Sequence, residues 1–155
     1  MKTVEERFWQ KVDKSGECWL WTAATYSNGY GHFGVNATRG ALAHRFAWEL
    51  LVAPIPEGKM LDHECHNRLC VNPQHLRVAT AKQNLENQGV LRSDNKSGIR
   101  GVNWHPTAQK WRARVTHNSK EHHVGLFADK AEAEAAAIAK RNELFTHNNL
   151  DRKAS

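Results

Sequence analysis

Three cysteines and a group of histidines carry the clearest chemical signal in this sequence. Cys65 and Cys70 are separated by four residues, and His75 follows five positions after the second cysteine. Zinc prefers thiolate and imidazole ligands, and a structural site takes four of them in a tetrahedron. Cys18 is the only other cysteine, so it is the obvious fourth ligand. The spacing therefore predicts a structural zinc site that ties an N-terminal segment to a later loop.

Other interpretations of these residues stay open. The cysteines could be small buried apolar side chains, because free cysteine is often buried. His66 or His32 could supply the nitrogen ligand in place of His75. A closed set of disulfides is disfavoured, because the number of cysteines is odd and a reducing compartment opposes such bonds.

Asp62 and His63 directly precede the cysteine loop and offer a second kind of chemistry. An imidazole with a pKa of about 6.5 can take a proton from water at neutral pH. Mg²⁺ prefers oxygen ligands, which Asp62 and Asn84, in the first turn of a predicted helix, could provide. A base and a divalent cation are what hydrolysis of a phosphodiester requires. Because adjacent strand residues point to opposite faces, Asp62 and His63 can share one site only at a distorted strand end.

The elements that must position these residues follow from capping boxes and apolar spacing. Thr3 with Glu6, and Thr80 with Gln83, are typical of helix starts. His44 and Arg45 lie in a mostly apolar helical stretch. They could be polar residues at the edge of the helix or could contact a phosphate, and the sequence favours neither. The predicted elements are a helix at 3–12, a hairpin of strands 18–21 and 30–35, a helix at 41–51, and strand, loop, strand and helix over 59–88.

The pattern changes after a polar stretch at 89–98, which we interpret as a linker. Residues 99–147 indicate three strands followed by an alanine-rich helix. In the middle strand, Ala113 and Val115 alternate with Arg112 and Arg114. A helix packed on the apolar face would leave the arginine face open, although these arginines could also be an ordinary solvated face. We expect residues 148–155 to form a disordered tail.

The charge of the chain is unevenly distributed. The net charge is +6, and residues 1–90 hold ten Lys/Arg against nine Asp/Glu, whereas residues 91–155 hold twelve against seven. A basic balance of this kind favours a polyanionic partner. No apolar run is long enough to span a bilayer, and charged residues stand where a signal sequence would have its core. We therefore expect a cytoplasmic protein with no membrane partner.

The first part of the chain resembles the HNH and His-Cys box homing endonucleases, also called ββα-metal or His-Me finger nucleases. The resemblance covers about residues 16–88. It implies that His63 is the general base, that Asp62 and Asn84 bind the catalytic Mg²⁺, and that Cys18, Cys65, Cys70 and His75 hold zinc. Many HNH enzymes have Asn where this chain has His75, so a plain HNH arrangement in which His75 supports the catalytic metal stays open. The motif is His63-x-Cys65-x4-Cys70-x-Asn72-Pro73-x-His75-Leu76.

The second part resembles the ethylene-response-factor (APETALA-type) DNA-binding domain. That family lays a three-stranded sheet in the major groove, which implies DNA contacts here from Arg100, Asn103, His105, Arg112 and Arg114. Trp104 and Trp111 are better explained as core residues. The motif runs through Ser97-Gly98-Ile99-Arg100-Gly101-Val102-x-Trp104, Lys110-Trp111-x-Ala113 and Val124-Gly125-x-Phe127.

The sequence thus predicts an α+β protein: a zinc-stapled ββα-metal nuclease domain at 1–88, a linker at 89–98, and a small three-stranded antiparallel sheet packed on one helix at 99–147. The predicted function is that of a Mg²⁺-dependent homing-type endonuclease, phage- or intron-encoded, that hydrolyses double-stranded DNA as a monomer or homodimer. His63 would be the base, and Arg45 would neutralise phosphate. The alternatives are a non-catalytic, zinc-stabilised DNA-binding regulator and a structure-selective nuclease.

Overall fold

A computed structural model describes residues 1–89 and 91–153. The chain divides into two compact units, Met1–Asn84 (unit 1) and Leu85–Ser155 (unit 2). The sequence predicts a nuclease domain that extends to residue 88 and a linker at 89–98. The described residues of that linker belong to unit 2, and residue 90 lies outside the described residues. The mixture of helices and small antiparallel sheets confirms the α+β prediction.

Unit 1 is built from short elements that pair in twos. Its three antiparallel sheets are β1 with β2, β3 with β4, and β5 with β6. The elements are α1 Val4–Trp9, β1 Val12–Asp13, β2 Leu20–Trp21, β3 His32–Gly34, β4 Gly40–Leu42, α2 Ala43–Leu51, β5 Met60–His63, a 3₁₀ turn Pro73–His75, β6 Leu76–Ala79 and the start of α3 Ala81–Asn87, whose last three residues belong to unit 2.

The predicted N-terminal hairpin is wrong in its pairing. β2 pairs with β1, and β3 pairs with β4, rather than β2 with β3. Residues 24–26, which follow β2, are the ones that pair with residues 30–32 across the turn. The Trp21 indole Nε1 donates to the carbonyl of Ala24, and Thr22 N donates to the carbonyl of Lys11. Gly31 then lies against the Trp21 ring, where a Cβ would be 2.6 Å from a ring atom.

The core of unit 1 is aromatic and forms around α1. The capping box of Thr3 and Glu6 is present and begins this helix. Phe8 is fully buried, and its ring centroid lies 5.3 Å from Trp21, 5.0 Å from Phe33 and 4.8 Å from Phe46. These large rings compensate for the small number of strand residues, since each aromatic side chain buries much apolar area.

Unit 2 contains one sheet with the strand order β7-β8-β9, all antiparallel. Ala113 of the sheet and Ala133 and Ala137 of the following helix are fully buried in one apolar cluster. Small side chains on both surfaces allow the helix to lie close to the sheet. The elements are β7 Val102–His105, β8 Lys110–His117, β9 Lys120–Phe127, α4 Lys130–Leu144 and α5 Asn149–Lys153.

The C-terminal segment differs from the predicted disordered tail. Asn149–Lys153 is helical, and residues 154 and 155 lie outside the described residues. The carboxylate of Asp151 accepts from Arg141 Nε at 2.5 Å and from Asn148 Nδ2 at 2.8 Å. Arg141 and Asn148 are both buried, so this pairing anchors the segment. A polar sequence of this length gives no periodic signal, which is why the helix was not predicted.

Candidate metal centre and active site

Four side chains from unit 1 converge as the spacing predicted. The ligand atoms of Cys18, Cys65, Cys70 and His75 all lie within 4.8 Å of one another. The Nδ1 atom of His75 is 3.4 Å from Cys18 Sγ and 3.5 Å from Cys70 Sγ. In a tetrahedral zinc site the sulfur and nitrogen ligands would be about 3.6 Å apart, given usual zinc–ligand lengths. The cluster therefore has the composition and size that a zinc ion needs.

Main-chain hydrogen bonds bring the distant Cys18 to this loop. Val71 N donates to the carbonyl of Trp19, and Trp21 N donates to the carbonyl of Leu69, at 2.8 and 2.9 Å. Asn72 adds two side-chain bonds: its Oδ1 accepts from Gln74 N, and its Nδ2 donates to the carbonyl of Glu17. The helix-start pair Asn72-Pro73 thus forms the turn that presents His75 and also fixes the residue preceding Cys18.

The thiols also show the electrostatics of a cation site. A hydrogen bond from Cys70 is the largest of the effects that lower the pKa of Cys65 to about 5. The neighbouring Cys65 in turn raises the pKa of Cys70, and burial raises that of Cys18. Several thiolates this close repel one another, so a bound dication would be needed to ionise them together.

The two alternative histidines lie apart from this cluster. His66 is exposed and has a positive φ of 59°, whereas the His32 ring packs against Tyr26 with centroids 4.7 Å apart. Of the residues the structure describes, the group that could hold a metal includes neither of them.

His63 is the last residue of β5, and the pairing of β5 with β6 shows no register shift up to His63, so the strand end lacks the distortion predicted for a site shared with Asp62. Its Nε2 is 3.0 Å from the carbonyl oxygen of Cys70. A carbonyl can only accept, so Nε2 carries the hydrogen and Nδ1 is the basic nitrogen. Burial lowers the pKa of His63, against the opposing effects of the Cys70 carbonyl and of Cys65 and Asp62. The ring is therefore neutral at neutral pH, which is the form that a general base requires.

Two further rings surround His63. The centroid of His44 is 4.7 Å away and that of Tyr30 is 5.9 Å away. His44 is only 4% exposed, and within the described part of the chain its buried Nδ1 has no hydrogen-bond partner. Burial, followed by the charges of His63 and Arg45, lowers the pKa of His44 to about 3. A buried polar atom left unpaired costs about 1–3 kcal/mol of stability. His44 is thus a core residue rather than one at a polar helix edge.

Asp62 has an arginine partner that the sequence did not predict. Arg77 stands directly opposite it in the β5–β6 register, and Arg77 Nε and Nη2 donate to Asp62 Oδ2 at 2.9 and 2.8 Å. Arg77 Nη1 also donates to Glu64 Oε1 at 2.9 Å. The Asp62 carboxylate is 5% exposed, and this arginine compensates its charge.

The remaining predicted residues of unit 1 lie on helices. The capping box of Thr80 and Gln83 is present at the start of α3. Asn84 N donates to the carbonyl of Thr80, and its side chain is half-buried. Arg45 is half-buried in the first turn of α2.

The predicted DNA-contacting residues of unit 2 have different environments. The Arg100 guanidinium donates to the carbonyls of Leu85, Glu86 and Gln88 at 3.3, 3.0 and 2.8 Å, so it is directed at main chain rather than at solvent. Arg112 Nε lies 3.4 Å from Asn103 Oδ1 on the adjacent strand.

Two other predicted contacts are also paired within unit 2. Arg114 forms an ion pair of 2.6 Å with Glu121. His105 Nδ1 accepts from Ala108 N at 3.2 Å, and Trp111 packs edge-on against Trp104 with centroids 5.2 Å apart. Arg112 is thus the predicted arginine least engaged by other groups of the protein.

Comparison with known proteins agrees with the chemistry of unit 1. Residues 41–86 match the family model described as HNH endonuclease. This segment includes every predicted site residue of unit 1 except Cys18, and it excludes the sheet of unit 2.

Several viral proteins are similar to parts of the chain. It is 39% identical over 75 residues to Protein 2.8 of Escherichia phage T7, covering 48% of this chain and 50% of the relative. It is 37% identical over 79 residues to Protein 3.8 of the same phage, covering 51% and 64%. An uncharacterized HNH endonuclease of Acanthamoeba polyphaga mimivirus is 30% identical over 103 residues, covering 66% and 52%. The chain thus spans between half and about two thirds of the length of these relatives.

No solved structure gives a significant match. No helix within residues 1–89 and 91–153 is both long enough and apolar enough to cross a bilayer.

Proposed function

We propose that unit 1 is a Mg²⁺-dependent DNA endonuclease domain in which His63 is the general base. The observation that carries this proposal is the 3.0 Å contact between His63 Nε2 and the Cys70 carbonyl. It leaves Nδ1 as the basic nitrogen of a neutral ring, in a segment that matches the HNH endonuclease family. His63 takes a proton from water, which attacks phosphorus in line with the departing 3′ oxygen.

The oxygen atoms of Asp62 and Asn84 would hold the Mg²⁺, because a carboxylate and an amide oxygen are ligands that this ion accepts. When bound, the ion supplies positive charge to the pentavalent phosphate and to the leaving oxygen. Arg77 already neutralises Asp62 at 2.8 Å, so this arginine must share or release the carboxylate when a cation is present. Arg45, which follows His44 in the first turn of α2, neutralises a phosphate charge.

Cys18, Cys65, Cys70 and His75 hold a structural zinc ion in this proposal. Cys70 supports it especially well, because its thiol belongs to the cluster and its carbonyl contacts His63. The zinc site therefore positions the base as well as stabilising the loop.

Unit 2 binds double-stranded DNA and gives the enzyme a homing-type target. The excess of five positive charges in residues 91–155, twelve Lys/Arg against seven Asp/Glu, supports this assignment. Arg112 and Arg114 alternate with the buried Ala113 and Val115, so they face away from the helix. We assign DNA contacts to Arg112 first, then to Arg114, Asn103 and His105. Arg100 is the weakest candidate because its guanidinium binds main-chain carbonyls.

A supercoiled-plasmid assay tests the proposal. We expect the wild-type protein to cut with Mg²⁺ and not without it, and His63→Ala to bind DNA without cutting it. His66→Ala, a substitution at an exposed histidine of the same loop, should cut normally. Linear product would indicate that both strands are cut, as by a homodimer, and nicked product would suit a monomer.

Equal cleavage by His63→Ala and the wild type would remove the assigned base. Tight DNA binding with no cleavage under any divalent cation would favour the non-catalytic regulator. Cleavage confined to nicks or junctions would favour a structure-selective nuclease.

A further inference from the structure

His44 is a buried polar residue that folding alone does not explain. Its Nδ1 is buried and, among the described residues, has no hydrogen-bond partner. Asn72, which is similarly buried, uses both of its amide atoms in hydrogen bonds. An apolar ring at position 44 would avoid the cost of an unpaired nitrogen, so stability alone does not favour histidine there. A partner that is present only in a complex would account for it.

The position of His44 indicates what this partner is. Its ring is 4.7 Å from that of His63 and 5.2 Å from that of Tyr30. His44 lies in the first turn of the nine-residue helix α2, which begins at Ala43 after Leu42, an apolar residue that offers no side-chain cap. The start of a helix attracts anions through its partial positive charge and its main-chain amides. Arg45 adds a full positive charge at the next position. An anion next to His63 therefore meets several complementary groups.

The neutral state of His44 suits a hydrogen-bond donor at a buried position. A neutral imidazole can donate one N–H without the desolvation cost that an ammonium or guanidinium group would carry. Of the anions that a DNA-cleaving site must bind, the phosphodiester next to His63 is the nearest to His44, because the two rings are 4.7 Å apart.

We infer that His44 contacts the phosphodiester that is cleaved. Because Nδ1 is buried in the unbound protein, the ring must turn on binding so that Nδ1–H donates to one of the non-bridging oxygens. The inference rests on the nuclease function proposed above and adds a phosphate-binding residue to it. His63 removes the proton from water, and His44 holds the phosphate in line with that water. No proton is transferred to or from His44.

Three variants separate the hydrogen bond from ring packing in single-turnover plasmid cleavage. His44→Phe retains a ring but has no donor, so we expect cleavage to slow by about ten- to a hundredfold, with a thermal midpoint equal to or above that of the wild type. His44→Asn places an amide where Nδ1 was, and should recover part of the rate. Trp48→Phe removes another unpaired buried N–H from the same helix and should leave the rate unchanged.

Cleavage by His44→Phe at the wild-type rate would overturn the inference and leave the assignment of His63 intact. A second readout does not depend on cleavage: the ¹⁵N resonances of the His44 ring, assigned with the His44→Phe variant. We expect the Nδ1 resonance to shift when a short mixed-sequence DNA duplex is added without Mg²⁺. An unchanged resonance would also overturn the inference. If the wild-type protein shows no Mg²⁺-dependent cleavage but this resonance shifts, the phosphate contact holds and the nuclease proposal fails.

Discussion

The two units reach stability by different means. The sheets of unit 1 have two strands each, and β1 and β2 contain two residues apiece, whereas β8 and β9 of unit 2 contain eight each. Unit 2 also has a helix of 15 residues on its sheet. In place of long hydrogen-bonded ladders, unit 1 has an aromatic core and a Cys/His cluster.

This difference follows from how small domains are stabilised. A ladder of eight residues with a packed helix buries a continuous apolar surface, and this burial stabilises the unit without a metal. Strands of two to four residues cannot provide this, and small folds of that kind usually need a metal or another covalent staple. Removal of the metal should therefore destabilise unit 1 and leave unit 2 folded.

The largest effect is expected from Cys70→Ser. Cys70 is fully buried, and its replacement removes one of the four ligands. Structural zinc contributes about 10–16 kcal/mol in small zinc domains, which is as large as the whole stability of a typical domain. We expect the variant to lose zinc and the NMR dispersion of unit 1, while the resonances of Ala113, Ala133 and Ala137 in unit 2 persist.

His66→Ala and His32→Ala are the controls for the zinc ligands. Both should retain one zinc ion per chain by elemental analysis. If Cys70→Ser kept its full zinc content and its structure, the claim that unit 1 depends on a metal and unit 2 does not would be refuted.

The second effect concerns Arg141 of unit 2, whose side chain pairs with Asp151 in a largely buried position. Replacement by Met leaves the carboxylate without its main partner, and the loss of one member of a buried pair typically costs about 3–5 kcal/mol. We expect denaturant unfolding of unit 2 to shift by this amount, while zinc content and unit 1 stay unchanged.

Lys140→Met is the matched control. The pair of Lys140 with Glu143 is much more exposed than that of Arg141 with Asp151, and exposed pairs contribute about 0–1 kcal/mol. A loss of similar size in both variants would indicate that net charge, and not the buried pair, sets the stability of unit 2.

The smallest effect is on DNA affinity. Arg112→Ala should weaken binding across all sequences and reduce the slope of log affinity against log salt by about 1. Lys140→Ala, on the helix, removes the same charge and should change the slope less. Fluorescence anisotropy with a labelled duplex at several salt concentrations measures both. Equal changes would refute the assignment of the arginine face of the sheet.

Residue spacing predicted the Cys/His cluster because the chain has only three cysteines, and alternation predicted the sheet of unit 2. What could not be predicted depends on long-range geometry. The pairing of Asp62 with Arg77 requires the β5–β6 register, which the turn between these strands determines. Arg100 resembled a DNA contact in the sequence, but its guanidinium reaches carbonyls 12 to 15 residues earlier in the chain. That His44 Nδ1 has no hydrogen-bond partner among the described residues is visible only when its neighbours are known.

The two roles of Cys70 have a consequence for regulation. One residue contributes a sulfur atom to the cluster and a carbonyl oxygen to His63, so the position of the proposed base, His63, would depend on the redox state of the thiols. Oxidation of the thiols or loss of zinc would then prevent DNA cleavage and leave the sheet of unit 2 intact. The same polypeptide would then occupy DNA without cutting it.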